Sequence, residues 1–241
     1  MTKIPKTPEE IFQEFTADFK RIYNGDLVSI ILYGSGARGE YVPKKSDLNF
    51  LIVLSDQGLK ELKKSLNLIP RWRKRNVSLP LFLSKSYIES SLDSFPMEFL
   101  EMKQHHQVVY GEDVLKDLEI KREDLRLQCE REIKGKLLYL REGYLSSGGK
   151  KKALQMLISQ SLPAFVAIFS ALLRLKDIEV PGTRIEVLNK TAEVFDFDQQ
   201  LFRNLLEVRQ RKVKFSRQEL TDLVERYIGE VEKLTTIIDS L

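Results

Sequence analysis

The sequence predicts an α+β chain, with a small mixed-sheet unit over 1–118 and an all-α helical bundle over 119–241. Three observations carry this prediction. Two strongly apolar runs, 28–33 and 48–54, flank a glycine turn in the first half, and runs apolar on both faces suit buried strands. Beyond about Lys121 no stretch reads as a strand, and helical patterns follow one another with short breaks. The last pattern places Leu220, Val224, Tyr227, Val231, Leu234, Ile238 and Leu241 at alternating spacings of four and three, a seam that packs along other helices. Such a seam serves a bundle within the chain or a homodimer.

Taken in order, Thr7-Pro8-Glu9-Glu10 predicts a helix start with a capping box, and Ile11, Phe12, Phe15, Phe19, Ile22 and Tyr23 give one apolar face. Asn24-Gly25-Asp26 ends that helix. A strand over 28–33, a Gly34-Ser35-Gly36 turn, a short helix from about Ala37 and a strand over 48–54 follow. Residues 58–68 read as a basic amphipathic helix. The run 71–75 (Arg71, Trp72, Arg73, Lys74, Arg75) is the densest positive charge; it suits a solvated loop or a triphosphate or RNA backbone, with Trp72 packed or stacked on a base. A second basic stretch, 203–217, has the same two readings. Pro80 demotes 77–83 to an edge strand.

Helices are predicted over 85–92 and 97–104, with His105 and His106 read either as an acid or base or as partners of the carbonyl end of the second, and a last strand over 107–110. In the bundle, a helix over 125–145 stops at Ser146-Ser147-Gly148-Gly149. The stretch 152–175 is apolar nearly all round, as a central helix is, with a kink at Pro163. Thr183 with Glu186, and Ser216 with Glu219, predict capping boxes, and Asp198 a further cap.

Composition narrows the function. The 241 residues are 42% hydrophobic and 31% charged, an ordinary globular mixture. A net charge of +4 permits an anionic ligand, but no long basic face marks a nucleic-acid partner. One cysteine, Cys129, excludes an internal disulfide and fits a reducing compartment, and with two histidines it makes no structural zinc site. The N-terminus lacks the apolar core of a signal peptide, and the apolar run 157–175 is interrupted by Ser159, Gln160, Ser161, Pro163, Ser170 and Arg174. A cytoplasmic protein with no membrane segment is expected.

The chemistry lies in residues 29–54. Small residues at Gly34-Ser35-Gly36 let backbone amides approach an anion, Ser35 adds a hydroxyl, and Arg38 sits within reach. Ser46-Asp47 opens the next strand, where residues two apart share a face, so Asp47 and Asn49 project together. Two carboxylates there would clamp magnesium against phosphates on the turn.

This arrangement resembles the nucleotidyltransferase superfamily of the polymerase-β type, whose signature is a Gly-Ser turn after a strand, about a dozen residues, then Asp-x-Asp. Gly34-Ser35 and Asp47-Leu48-Asn49 fill those places, supported by Ala37-Arg38-Gly39 and Ser46. The resemblance, which extends to bacterial small-molecule and aminoglycoside nucleotidyltransferases with a helical C-terminal domain, implies several roles. Gly34, Ser35, Arg38 and Ser46 would hold a nucleoside triphosphate such as ATP, and Asp47 and Asn49 would be the catalytic metal ligands. A nucleoside monophosphate would pass to a small-molecule hydroxyl acceptor. Asn49 departs from the pattern, and no carboxylate in 77–83 replaces it. Three readings of Asn49 follow: a pseudoenzyme that binds a nucleotide or protein partner, a slow enzyme that recruits another ligand, or a substitution made to trap a complex. Glu130, Glu132, Glu142, Glu186 and Glu193 are formal candidates for a base.

Overall fold

The computed structural model describes residues 3–211, 213–239 and 241, so Lys212 of the second basic stretch lies outside the described residues. The chain divides into two compact units, Met1–Lys121 and Arg122–Leu241.

The first unit is built on a four-stranded sheet in the order β3-β2-β1-β4, with β1 Leu27–Tyr33, β2 Asn49–Leu54, β3 Leu81–Leu83 and β4 His106–Gly111. β1 pairs antiparallel with β2 and with β4, whereas β2 and β3 run parallel, so the sheet is mixed. β3 takes the edge, where Pro80 costs no ladder bond. Gly111 closes β4 against β1 at φ +79°, where a Cβ would lie 2.0 Å from the Val28 carbonyl oxygen.

The pleat sorts the strands into two cores. Leu48, Phe50, Ile52 and Leu54 face helix α1 (Phe12–Tyr23) together with Ile30 and Leu32. Ile31, Leu51 and Val53 face the other side, with Ile88 of α4 (Lys85–Ser90) and Phe99 and Met102 of α5 (Pro96–Gln104). On the α1 face, Phe15 stacks on Phe50 at 4.3 Å between ring centroids and meets Trp72 edge-on at 4.9 Å. Each such buried aromatic is worth about 1.5–3 kcal/mol of apolar burial.

Three local expectations fail here. Thr7 makes no side-chain cap; Glu10 instead accepts from the Lys6 amide at 3.0 Å, and a 3₁₀ turn precedes α1. No helix follows Gly36: Gly34–Gly36 is itself a 3₁₀ turn, and the amides of Ala37 and Arg38 both donate to the Gly34 carbonyl at 3.1 Å. The basic helix over 58–68 is broken into α2 (Asp56–Leu59) and a 3₁₀ turn, Leu62–Ser65. There the Ser65 hydroxyl bonds Tyr23 Oη at 2.7 Å, which draws the segment onto α1 and leaves Leu62 and Leu66 exposed.

The run 71–75 is helix and turn rather than loop; Arg73 and Lys74 are exposed, while its other three members are engaged with the protein. Arg71 pairs with Glu14 and Asp18 of α1, Arg75 pairs with Glu14, and Trp72 is buried beneath both guanidinium groups. Trp72, Arg71 and Arg73 belong to α3 (Ile69–Arg73).

The second unit comprises α6 (Arg122–Ser147), α7 (Lys151–Leu175), α8 (Arg184–Phe195), α9 (Gln199–Gln210) and α10 (Arg217–Ile238). α7 touches the other four and is mostly buried, as its all-round apolar surface requires. It is the one helix among the described residues long and apolar enough to cross a membrane. It runs on through Pro163 as one helix. The capping boxes Thr183–Glu186 and Ser216–Glu219 both form, and Asp198 caps α9 through the Leu201 amide at 3.0 Å. Leu220, Val224, Tyr227, Val231, Leu234 and Ile238 are each 0% exposed, so this seam is covered inside the chain and offers no face to a second copy.

Candidate functional site

The end of β1 and the start of β2 bring the sequence-predicted residues to one corner of the sheet. Tyr33 and Asn49 are partners in the ladder, so the glycine turn that follows Tyr33 lies beside Asn49. Gly34 has φ +70°, and a Cβ on it would stand 3.2 Å from Asn49 Nδ2. Only glycine meets both demands without strain. Ser35 is half-buried in this turn.

Asn49 is fixed from its other side by Ser78, whose hydroxyl donates to Asn49 Oδ1 at 2.8 Å and lies 3.2 Å from the Leu48 carbonyl oxygen. The segment before β3 reaches this position by parallel pairing. Leu48 N donates to Asn76 O at 2.9 Å, and Ser78 N donates to Leu48 O at 3.0 Å. Asn76, at φ +66°, also donates from its side-chain amide to the Ser46 carbonyl. Asn76 and Ser78 therefore hold 46–49 in place, a role sequence reading missed because parallel neighbours leave no local signature.

Ser46 organises its own loop. Its hydroxyl accepts from the Val42 amide at 3.2 Å and its amide donates to Val42 O at 2.9 Å. Between Ser46 and Leu48, Asp47 is exposed just ahead of β2. Its charge reaches Tyr41, whose phenol is pushed up first by burial and also by Asp47.

Arg38 forms an ion pair with Glu101 of α5, and its Nε is buried with no hydrogen-bond partner among the described residues. Tyr33 packs against the α5-side core, and burial followed by the Glu101 charge raises its pKa above the usual phenol value. Glu101 thus joins Tyr33, Gly34, Arg38 and Asn49 at the corner, on the opposite face of the sheet from the 71–75 run.

Asp47 offers one exposed carboxylate, while Asn49 Oδ1 brings no charge and already accepts from Ser78. Among the described residues no three His, Cys, Asp or Glu side chains group to hold a metal. Magnesium is commonly held by one or two carboxylates plus substrate phosphates. One carboxylate, Asp47, meets that minimum only if a substrate phosphate were to supply the remaining oxygens.

His106 and four of the five bundle glutamates have partners elsewhere. His106 Nδ1 lies 3.1 Å from Lys103 O, at the end of α5, and Nε2 lies 3.0 Å from Asp113 Oδ1. Glu130 pairs with Arg126 and Lys134, Glu132 with Lys136 and Glu193 with Lys190, while Glu186 closes a capping box and Glu142 is exposed.

No family model and no curated protein sequence matches the chain. Among solved structures, it is similar to spectinomycin adenyltransferase AAD(9) from Enterococcus faecialis, solved with ATP and spectinomycin. The identity is 13% and the TM-score 0.55, over 94% of this chain and 99% of that one. At that identity the likeness establishes the fold: a nucleotidyltransferase-type α+β arrangement with a helical C-terminal part.

Proposed function

We propose that the chain binds a nucleoside triphosphate at the Gly34–Gly36 turn and transfers its nucleoside monophosphate to a small hydroxylated acceptor slowly or not at all. The observation that carries this reading is the apposition of Gly34 and Asn49 across the ladder, in a fold shared with an enzyme solved with ATP and spectinomycin. Gly34, Ser35 and Arg38 receive the phosphates, and Ser46 shapes the loop that presents Asp47. Asp47 and Asn49 occupy the positions of the metal ligands. Bound magnesium would neutralise charge on the phosphate oxygens during in-line displacement.

In that displacement the acceptor oxygen bonds the α-phosphorus, the bond to pyrophosphate breaks, and the hydroxyl proton passes to water. Asn49 contributes no charge to it, and a missing charge of this kind costs roughly 3–4 kcal/mol, or about a hundredfold to a thousandfold in rate. The buried lone Cys129 fits action in a reducing, cytoplasmic setting.

A second reading, a nucleotide-binding or regulatory pseudoenzyme that acts through its helical unit, is favoured by the Ser78–Asn49 hydrogen bond, which commits the amide oxygen to structure.

Calorimetric titration of ATP and GTP with magnesium tests binding. Saturable heat that is lost in Arg38→Ala supports the proposal. No heat with either nucleotide contradicts it.

A further inference from the structure

We infer that Glu101 is a specificity residue of this nucleotide site, a carboxylate that occupies the phosphate seat on Arg38 until a polyphosphate displaces it. The inference rests on the nucleotide-binding reading above and adds a residue that the glycine motif does not contain.

The geometry of the guanidinium carries it. Nε and Nη2 of an arginine share one edge, and that edge is built to grip two oxygens of one anion at once. Here Glu101 gives a single oxygen, Oε1, to Nη2, while Nε is buried with no partner. The edge is therefore half used, and its free half is closed to solvent while the Glu101 pair stands. A buried donor left unmade is costly, so a ligand that satisfies both nitrogens has an advantage that Glu101 lacks. A phosphate group presents oxygens in the spacing the edge requires.

Exposure points the same way. The Arg38 side chain is 22% exposed and Glu101 46%, so the arginine is fixed at the turn while the glutamate is the partner free to swing out. The guanidinium follows the Gly34–Gly36 turn by two residues, and its own amide donates to the Gly34 carbonyl at 3.1 Å.

The consequence is selectivity by competition. Any anion that seats on Arg38 must first break the Glu101 pair, so its apparent affinity falls by the fraction of molecules in which the seat is open. A triphosphate has other contacts along the turn to offset this, whereas orthophosphate has few. Glu101 thereby keeps small anions off the site.

The test is calorimetric titration of ATP, sodium tripolyphosphate and orthophosphate into the full chain and into Glu101→Gln, Glu101→Asp and the double variant Arg38→Ala/Glu101→Gln. Circular dichroism and thermal unfolding establish that each variant folds. Glu101→Gln is expected to bind tripolyphosphate and ATP about tenfold more tightly, and to bind orthophosphate measurably. Glu101→Asp, with its carboxylate drawn back by one methylene, should tighten binding by less, and the double variant should lose the gain. If the unaltered chain binds ATP and Glu101→Gln binds it equally or more weakly, the inference falls and the nucleotide reading stands. If neither form binds ATP or tripolyphosphate, both fall.

Discussion

The Ser78 hydroxyl donates to Asn49 Oδ1 at 2.8 Å, and this bond ties the Asn49 side chain to the edge of the sheet. It joins residues 29 positions apart, on strand segments that meet only through parallel pairing. Ser78→Ala is expected to lower stability by about 1 kcal/mol, the ordinary net worth of one such bond. Chemical denaturation measures it. An unchanged midpoint would mean that Asn49 finds a replacement donor.

Gly111→Ala should be far more damaging than Gly34→Ala. Both glycines have positive φ, but a Cβ at Gly111 meets the Val28 carbonyl oxygen at 2.0 Å, whereas one at Gly34 meets the end of an Asn49 side chain at 3.2 Å. The φ penalty alone is about 1–2 kcal/mol. Gly34→Ala should show a loss of that size in thermal unfolding, and Gly111→Ala a larger one through the disrupted β1–β4 pairing. Equal losses would contradict the contact geometry.

Acid should weaken the first unit through Glu14. Its hydrogen bond from Arg75, with the charges of Arg75 and Arg71, holds the carboxyl below its usual range despite some desolvation. The folded pKa is depressed, so the stabilisation is present above the ordinary value of about 4.3 and is lost as pH falls through the lower folded value. Solvent screening keeps the effect small, because the side chain is about half exposed. Unfolding temperature followed from neutral pH to strong acid should show the gap between the unaltered chain and Glu14→Gln closing below that range. A constant gap would exclude the pair as its source.

Ser216→Ala should destabilise the second unit by about 1 kcal/mol. Ser216 Oγ accepts from the Glu219 amide at 3.2 Å, and Glu219 returns the bond to the Ser216 amide at 2.6 Å. The Ser216 backbone and hydroxyl hold the Glu219 carboxyl below its usual range. Urea unfolding of the full chain measures the loss, and no shift in midpoint would show that this cap is dispensable.

What the sequence disclosed follows from how local each feature is. The boxes at Thr183 and Ser216 span three residues and could be read directly. The similar pattern at Thr7 failed because Glu10 finds the Lys6 amide rather than that of Thr7. Both central strands, the buried helix α7 and the α10 seam were legible from apolar pattern alone, since burial decides each of them. The 3₁₀ turn at Gly34–Gly36 was not, since the Ala37 and Arg38 amides fold back onto the Gly34 carbonyl and no residue pattern announces it. At the site, Gly34 and Asn49 were readable from spacing. Their partners were hidden: Glu101 lies 63 residues from Arg38, and no pattern links a helix glutamate to a turn arginine across that distance.

Asn49→Asp tests the central claim most directly. Pyrophosphate release should be followed with ATP, magnesium and a panel of hydroxylated acceptors, for the chain as it stands and for the variant. A second carboxylate beside Asp47 would complete the proposed clamp while leaving Ser78 its acceptor. The account predicts release at least about a hundredfold faster from the variant than from the unaltered chain. Equal turnover by the two proteins would contradict it, because the amide at position 49 would then not be what limits catalysis.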